Sequence, residues 1–289
     1  MTSMATPREG VLRKTDTSGS PQHLSEAQLG HLTLIAFNRA LTDWSSRGVL
    51  EESEGAVLCA SGTWIPVVAN GAFRADDTLG GAALIAKADA FFKGLGRGYT
   101  VKVRDSGQDD DLRHACLQAG LELFGDPVPE MVCRSPLPEP APIDGVTVRV
   151  VDDEAGVREF IGVNSEAYAT YGMPSDVHAD LFDETDRVLE DTAASIVVAH
   201  RDGQAIATAM AYESDEVASL QWVGTVPAAR ALGLGARVTV ASTNLAFEHG
   251  ASSVSLQASP MGESVYRKLG YETIYHYAEY VRWPKPPAR

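Results

Sequence analysis

Arg230, Gly233 and Gly235 belong to a short glycine-containing segment whose residue types suit the binding of an anion. An apolar, β-rich run ending at Val223 precedes the segment, and Pro227 cannot donate a hydrogen bond to a strand ladder. Apolar residues at helical spacing follow it. The first turn of a helix has free N–H groups and the positive end of the helix dipole, and glycine lets a ligand approach the backbone closely. The sequence therefore predicts a strand, a tight loop and a helix start that together hold a pyrophosphate.

The length of 289 residues and an apolar content of 44% predict two globular domains. Alternating prolines between Ser135 and Pro142 indicate a stiff, extended linker. We therefore expect a polar, mobile arm, a first domain, the linker and a second domain, at residues 1–22, 23–135, 136–145 and 146–289.

The formal net charge of −15 argues against nucleic acids and anionic membranes as partners. No apolar run approaches the ~18–20 residues that span a bilayer, and no apolar signal core follows Met1. The three cysteines are too few and too scattered for a disulfide framework or a zinc site. These features predict a cytoplasmic protein that holds no metal.

Helical and β-strand periodicities alternate along both halves, which predicts an α/β fold. Asp202-Gly203 and Ser214-Asp215 separate β-like runs and indicate hairpin turns. Segments 56–60 and 64–69 are predicted strands, and 181–189 is a predicted helix. The two halves also share one order of elements, and Cys116–Glu122 aligns with Tyr266–Glu272. This pattern indicates a duplicated domain whose first copy has Asp76-Asp77 before its glycines, and we expect those carboxylates to repel phosphate.

The pattern Pro227-x-x-Arg230-x-x-Gly233-x-Gly235 resembles the acyl-CoA loop of the GNAT acetyltransferase superfamily. Downstream, the run from Ser255 to Tyr271 resembles the closing segment of that family, in which a tyrosine precedes a Gly-aromatic pair. The resemblance covers about residues 146–283 well and the first half only as a degenerate copy. It implies a tandem protein of two GNAT-like domains, each a mixed, mainly antiparallel sheet flanked by helices.

The resemblance also implies a role for individual residues. Tyr266 would protonate the departing CoA thiolate as a general acid. Ser259 stands where many members have Asn, which is a departure from the pattern. The remaining cofactor-binding residues would offer backbone groups to the pantetheine arm and the pyrophosphate: Val223, Gly224, Thr225, Arg230, Ala231, Leu232, Gly233, Leu234, Gly235 and Ala236.

The implied function is transfer of an acetyl group from acetyl-CoA, the co-substrate, to a primary amine of a small molecule or a protein lysine, by direct attack. A homodimer is compatible with the sequence. The alternative is a non-catalytic acyl-CoA sensor or scaffold. A P-loop nucleotide site fits less well, because no Lys-Ser/Thr pair follows the glycines.

The general base remains unplaced by the sequence. The predicted strand around Gln221 carries no carboxylate at its centre, and the acidic residues of its hairpin turn lie too far away. His178 and Tyr171 could reach the acceptor site, although we expect His178 to lie on the surface and Tyr171 to contribute to packing.

Overall fold

The computed structural model describes residues 24–284, so the predicted arm at residues 1–22 lies outside the described residues. The first half begins with a long helix and continues with short strands and helices. Its elements are α1 (Glu26–Asp43), β1 (Val49–Ser53), β2 (Ala56–Ala60), α2 (Pro66–Ala69), β3 (Asn70–Arg74), α3 (Gly81–Leu95), β4 (Tyr99–Arg104), α4 (Asp110–Gln118), β5 (Glu122–Leu123) and β6 (Val128–Cys133).

The second half has longer strands and repeats the general order. Its elements are β7 (Val146–Val150), α5 (Glu154–Ala169), α6 (Val177–Leu181), α7 (Thr185–Glu190), β8 (Ala194–Arg201), β9 (Gln204–Ser214), β10 (Val217–Thr225), a 3₁₀ turn (Pro227–Ala229), α8 (Leu234–Glu248), β11 (Ser253–Gln257), α9 (Glu263–Leu269) and β12 (Glu272–Arg282).

All strands of the described residues join one 12-stranded, mostly antiparallel sheet, in the order β1-β2-β3-β4-β12-β6-β11-β10-β9-β8-β7, with β5 beside β12. The predicted α/β class with a mainly antiparallel sheet flanked by helices is confirmed. The sheet is continuous across the two halves that the proline segment connects, because strands of the first half pair with strands of the second.

The last strand of each half lies in the sheet of the other half. β12 pairs with β4 of the first half, with Tyr280 opposite Val101. β6 pairs with β11 of the second half, with Glu130 opposite Gln257. β12 and β6 also pair with each other. This exchange places residues of the first half directly beside the strands of the second.

Helix α1 also spans the two halves. Ser25 caps its start through a reciprocal capping box with Gln28. Gly30 lies over β6 and β11, whereas Phe37 and Trp44, further along the helix, pack in one cluster with residues of α5, α6 and α7. The buried aromatic contacts at this end join α1 to the second half.

The proline segment packs against α8 over much of its length. Leu137 exchanges two hydrogen bonds with the Asn244 side chain, at 2.7 and 2.9 Å, and its own side chain is buried. Arg237 donates to the carbonyl oxygens of Pro140 and Ala141. These contacts fix the connection onto the second half.

The hairpin turns follow the sequence prediction. Asp202 and Gly203 both have positive φ, 52° and 77°, as a two-residue hairpin turn requires. The predicted strand at 64–69 is wrong, because Pro66 starts the short helix α2 there. The predicted helix at 181–189 is interrupted, because α6 ends at Leu181 and α7 begins only at Thr185. No helix within 24–284 is long and apolar enough to cross a membrane.

Candidate functional site

Two parallel strands separate in the middle of the second half. β10 and β11 pair from Val217 opposite Ser253 to Ser219 opposite Ser255, and no further. On its other side β10 continues to pair with β9 as far as Thr225. The carbonyl and N–H groups of residues 220–225 that face β11 therefore have no ladder partner. We call this opening the central gap, bounded by residues 220–225 and 256–259.

A bulge in β10 widens the central gap. The register with β9 shifts between Gln221 and Gly224, and Trp222 has a positive φ of 51°, which is rare for a bulky residue. A Cβ at Gly224 would lie 2.6 Å from the Oδ1 atom of Asn164 on α5. A side chain at position 224 would displace the Asn164 amide, so glycine allows α5 to pack closely here.

The predicted loop connects the end of β10 to α8, as expected. Gly233, with φ +80°, is the residue before the helix, and Ala231 also has a positive φ of 61°. No side chain caps α8, and its first turn contains no acidic residue. Its first N–H groups, from Leu234 to Ala236, have no intrahelical partner by geometry. This uncapped helix start, which follows the exposed residues 231–233, fits a phosphate group.

Arg230 is oriented away from the helix start. Its guanidinium donates to the carbonyl oxygen of Ala167 and the Thr170 hydroxyl group, both at 2.9 Å, and to the Thr225 carbonyl at 3.4 Å. Its backbone N–H donates to Pro227. In this structure Arg230 connects the loop to the end of α5, so an anion at α8 would be held by the N–H groups that follow it.

Thr225 and Gly235 face each other across the loop. A Cβ at Gly235 would lie 3.7 Å from the Thr225 Oγ1 atom, an ordinary contact, so the protein alone does not require glycine here. Leu232 is exposed beside them. The absence of a side chain at 235 leaves open the space in front of the first N–H groups of α8.

Tyr266 lies in the middle of α9, the short helix that follows the 256–259 side of the central gap. Its ring is 9% exposed and packs edge-on against Tyr271. Among the described residues no hydrogen bond to its hydroxyl group is found. Burial, with the nearby Tyr171 phenol, raises the pKa of Tyr266 well above its usual value. The phenol is therefore protonated at neutral pH, as a proton donor must be.

Ser259 has a local structural contact. Its Oγ atom accepts a hydrogen bond from the Gly262 N–H group at 3.2 Å, and its carbonyl oxygen accepts from Glu263 at 3.0 Å. The residue therefore shapes the turn into α9.

His178 is completely buried, so its expected surface position is wrong. Its ring packs against Trp222 and Tyr168, with centroids 5.0 and 5.4 Å apart, and neither ring nitrogen has a hydrogen-bond partner among the described residues. Burial lowers the pKa of His178 to about 4. The imidazole is therefore neutral at pH 7 and is a weak base. Tyr171 is half-exposed at the rim of the same aromatic group.

The equivalent opening in the first half is filled by the chain itself. β3 and β4 are parallel and pair only through Ala72 opposite Val101 and the preceding pair. Beyond them Arg74 and Arg104 are buried and both form ion pairs with Asp109, at 2.8 Å for Arg104. These charged side chains occupy the position that corresponds to the central gap.

Asp77 does not simply add negative charge in the first half, because it pairs with Arg104 at 2.8 Å. At the start of α3, the Asp111 carboxylate accepts the Gly81 N–H at 2.7 Å. The first half therefore presents no free anion site at this helix, for a different reason from the repulsion expected of Asp76-Asp77.

Glu130, which was not predicted as a site residue, lies one strand away from the central gap and is completely buried. The sequence signal that could have identified Glu130 is its position as a charged residue inside the otherwise apolar run Val128–Cys133. Within residues 24–284 no group of three His, Cys, Asp or Glu side chains is arranged to hold a metal ion.

Comparison with protein families identifies residues 141–268 as a match to the family described as acetyltransferase (GNAT) domain. This range includes β10, the loop, β11 and most of α9. None of the curated proteins has a significantly similar sequence.

Solved structures with a similar fold cover nearly the whole chain. A GCN5-related N-acetyltransferase from Kribbella flavida is 20% identical, with a TM-score of 0.66, over 91% of this chain and 98% of that one. One from Sphaerobacter thermophilus is 16% identical, with a TM-score of 0.61, over 86% of both chains. A tandem GNAT protein from the clavulanic acid biosynthesis pathway is 17% identical, with a TM-score of 0.56, over 91% and 95%. At these identities the similarity concerns the fold.

Proposed function

We propose that the chain transfers an acetyl group from acetyl-CoA to a primary amine in the central gap, because residues 141–268 match the family described as acetyltransferase (GNAT) domain. The proposal rests on one observation above all. Parallel strands that separate after Ser219 lead directly to an uncapped helix start at Leu234. A long ligand with an anionic end fits this arrangement, because the unpaired backbone groups of β10 are followed along the chain by the free N–H groups of α8.

Each part of the ligand has proposed partners. The backbone of Val223 to Thr225 would bind the pantetheine amides in place of a neighbouring strand. The N–H groups of residues 231–236 would hold the pyrophosphate. Gly235 would leave room for it. Ser259 would shape the wall of the gap through the turn that it stabilises. Its hydroxyl group already accepts a hydrogen bond from Gly262.

The transfer itself needs an oxyanion donor and two proton transfers. An unpaired N–H group of β10 beside the bulge would donate to the developing oxyanion. Tyr266 would give a proton to the leaving thiolate, since its buried phenol is protonated at neutral pH. Direct attack by the amine then breaks the C–S bond as the C–N bond forms.

We propose that the acceptor enters beside the aromatic side chains at the bulge. Trp222 and Tyr168 are half-buried there, and the Trp222 indole N–H has no partner among the described residues. The strongly acidic chain favours an acceptor that arrives with a positive charge. A small amine and a protein lysine both meet this requirement.

A panel of amines and lysine peptides with acetyl-CoA, read by release of the CoA thiol, tests the proposal. We expect release above the hydrolysis rate with at least one class of amine, and acetylated amine in equal amount. Acetyl-CoA that binds but never transfers its acetyl group to any member of a broad panel would contradict transfer and leave binding alone.

A further inference from the structure

The exchanged strand β6 brings a carboxylate of the first half to the vertex of the central gap. Ser255 is the last residue of β11 that pairs with β10 and also pairs with β6. Glu130 lies opposite Gln257, two residues further along, where β11 has already separated from β10. Adjacent strands are ~4.8 Å apart, so Glu130 is one strand spacing from the wall of the gap.

The side chains at this vertex share one face of the sheet. Residues alternate between faces, so Ser255 and Gln257 project together, as do their partners Ser219 and Glu130. A Cβ at Gly30 of α1 would lie 3.6 Å from the Glu130 Oε1 atom and 3.7 Å from the Ser255 Oγ atom. The polar groups therefore meet beneath α1.

The hydrogen bonding of Glu130 is incomplete. Its Oε2 atom accepts from the Gln257 amide at 2.9 Å, but Oε1 has no partner among the described residues. The Ser255 hydroxyl group beside Oε1 is also unpartnered. A fully buried carboxylate oxygen without a donor is costly, and a water molecule or a substrate group is the usual remedy.

β10 supplies no alternative base. Its sequence from Val217 to Thr225 contains no Asp or Glu. The acids that precede it, Asp215 and Glu216, are exposed in the hairpin turn, and Glu213 is paired with His249 at 2.8 Å. His178 lacks the basicity, as described above. The transfer nevertheless requires that a proton leave the amine nitrogen.

From this geometry, and resting on the proposed function, we propose that Glu130 is the general base of the transfer. It accepts a proton from the attacking amine through a water molecule at the vertex, between Ser255 and Oε1. The nitrogen lone pair forms the C–N bond, the C–S bond breaks, and the sulfur takes its proton from Tyr266. Glu130 afterwards releases its proton to solvent and Tyr266 regains one, so the protons balance. The first half thus supplies a functional group to the second.

The surroundings leave Glu130 as the group that titrates near neutrality. Burial raises its pKa to about 7, against the opposing effects of the Gln257 amide, the Ser255 hydroxyl group and the Lys102 charge. On α1, burial lowers the pKa of His31 to about 4. On β12, burial raises the pKa values of Tyr275 and Tyr277. Lys102 on β4 is paired with Glu279 at 2.5 Å.

The test compares the wild type with Glu130→Gln, which keeps the shape and hydrogen-bonding capacity of the side chain but cannot accept the proton. Thiol release with the best amine of the panel is measured between about pH 6 and about pH 9. We expect kcat to fall ~100-fold or more and the KM for acetyl-CoA to stay unchanged. The plot of kcat against pH should also lose the rising limb that has its midpoint near neutral pH in the wild type. Glu130→Asp, which retains a carboxyl group further from the gap, should keep the limb with a reduced kcat.

Glu213→Gln makes the same chemical change outside the gap and should leave both the rate and the pH profile as in the wild type. If Glu130→Gln retains a wild-type rate and profile, Glu130 is not the base, although the proposed function stands. If the wild type neither binds acetyl-CoA nor uses it with any amine, the proposed function fails and this inference with it.

A second measurement needs no acceptor. In protein labelled with ¹³C at the glutamate carboxyl carbon, the signal missing from Glu130→Gln identifies residue 130. Its midpoint should lie near neutral pH and move when acetyl-CoA is added. A midpoint in the range of an exposed glutamate, or one that bound acetyl-CoA does not move, would overturn the proposal.

Discussion

The Asp111 carboxylate accepts a hydrogen bond from the backbone N–H group of Gly81 at 2.7 Å, so a side chain of the chain itself caps helix α3. Its other oxygen receives Arg74 at 2.8 Å. In the second half, the start of α8 at Leu234 has no capping side chain. The two helix starts are equivalent in the repeat but differ in this respect, and we propose that only the second binds a phosphate.

Replacing Asp111 with Asn should destabilise the protein by ~1 kcal/mol, as expected for a weakened cap. Although partial burial opposes ionisation, Gly81 and Arg74 hold the pKa of Asp111 below its usual value. The stabilisation is therefore present above about pH 4 and lost as pH falls further. The control is Asp110→Asn, because Asp110 is the neighbour of Asp111 in the first turn of α4. Equal urea midpoints for the two variants at pH 7 would contradict the cap.

Tyr266→Phe should reduce kcat at least ~100-fold while changing the affinity for acetyl-CoA little, since only the hydroxyl group is removed from a packed ring. Turnover by thiol release and binding by calorimetry separate the two effects. Tyr271→Phe is a matched control, because it removes the hydroxyl group that pairs with Thr243 in the core. A rate loss no larger than that of the control would make Tyr266 a packing residue.

The strand exchange predicts that a chain cut in the proline segment stays in one piece. A protease site inserted after Glu139 would separate the two halves covalently, while β6 remains paired with β11 and β12 with β4. The nicked protein should elute at the mass of the intact chain and divide only in denaturant. Two fragments that separate under native conditions would show that the exchange does not hold the halves together.

Much of this site was predictable because its signals are local. The loop from Arg230 to Gly235 combines positive-φ positions with a following amphipathic helix, and these are properties of neighbouring residues. The hairpin at Asp202-Gly203 has the same origin. Fold class and family resemblance followed from such segments.

The exchange of β6 and β12 was not predictable in this way. β12 follows α9 and Gly270, and β6 follows α4, Gly120 and the two-residue strand β5. Nothing in the residues of either strand tells which β-strand it will pair with. The burial of His178 and Glu130 is likewise decided by elements distant in the sequence. Trp222 in the β10 bulge covers His178, and α1 covers Glu130. Polarity alone suggested a surface position for His178.

The pH dependence of stability offers a check on Glu130 that is independent of catalysis. Its pKa is near 4.3 in an unfolded chain and about 7 when folded. The folded state therefore binds more protons in this interval, and stability falls as pH rises through it. Glu130→Gln should be relatively more stable than the wild type at pH 8 than at pH 5, by at most about 3 kcal/mol. Urea unfolding measures the difference in free energy of unfolding between Glu130→Gln and the wild type at each pH. The same difference at pH 5 and pH 8 would mean that the carboxylate is solvated.

The central claim is that one acyl-CoA binds in the gap with its phosphates on α8. Titration calorimetry with acetyl-CoA on the wild type, Gly235→Val and the control Gly162→Val tests it most directly. Gly162 is an exposed helical glycine of α5 with open space around it, so its substitution reproduces the change in backbone propensity. We predict one site per chain in the wild type and the control, and affinity at least ~100-fold weaker, about 2.7 kcal/mol, in Gly235→Val. Unchanged affinity in Gly235→Val, or two sites per chain, would contradict the account.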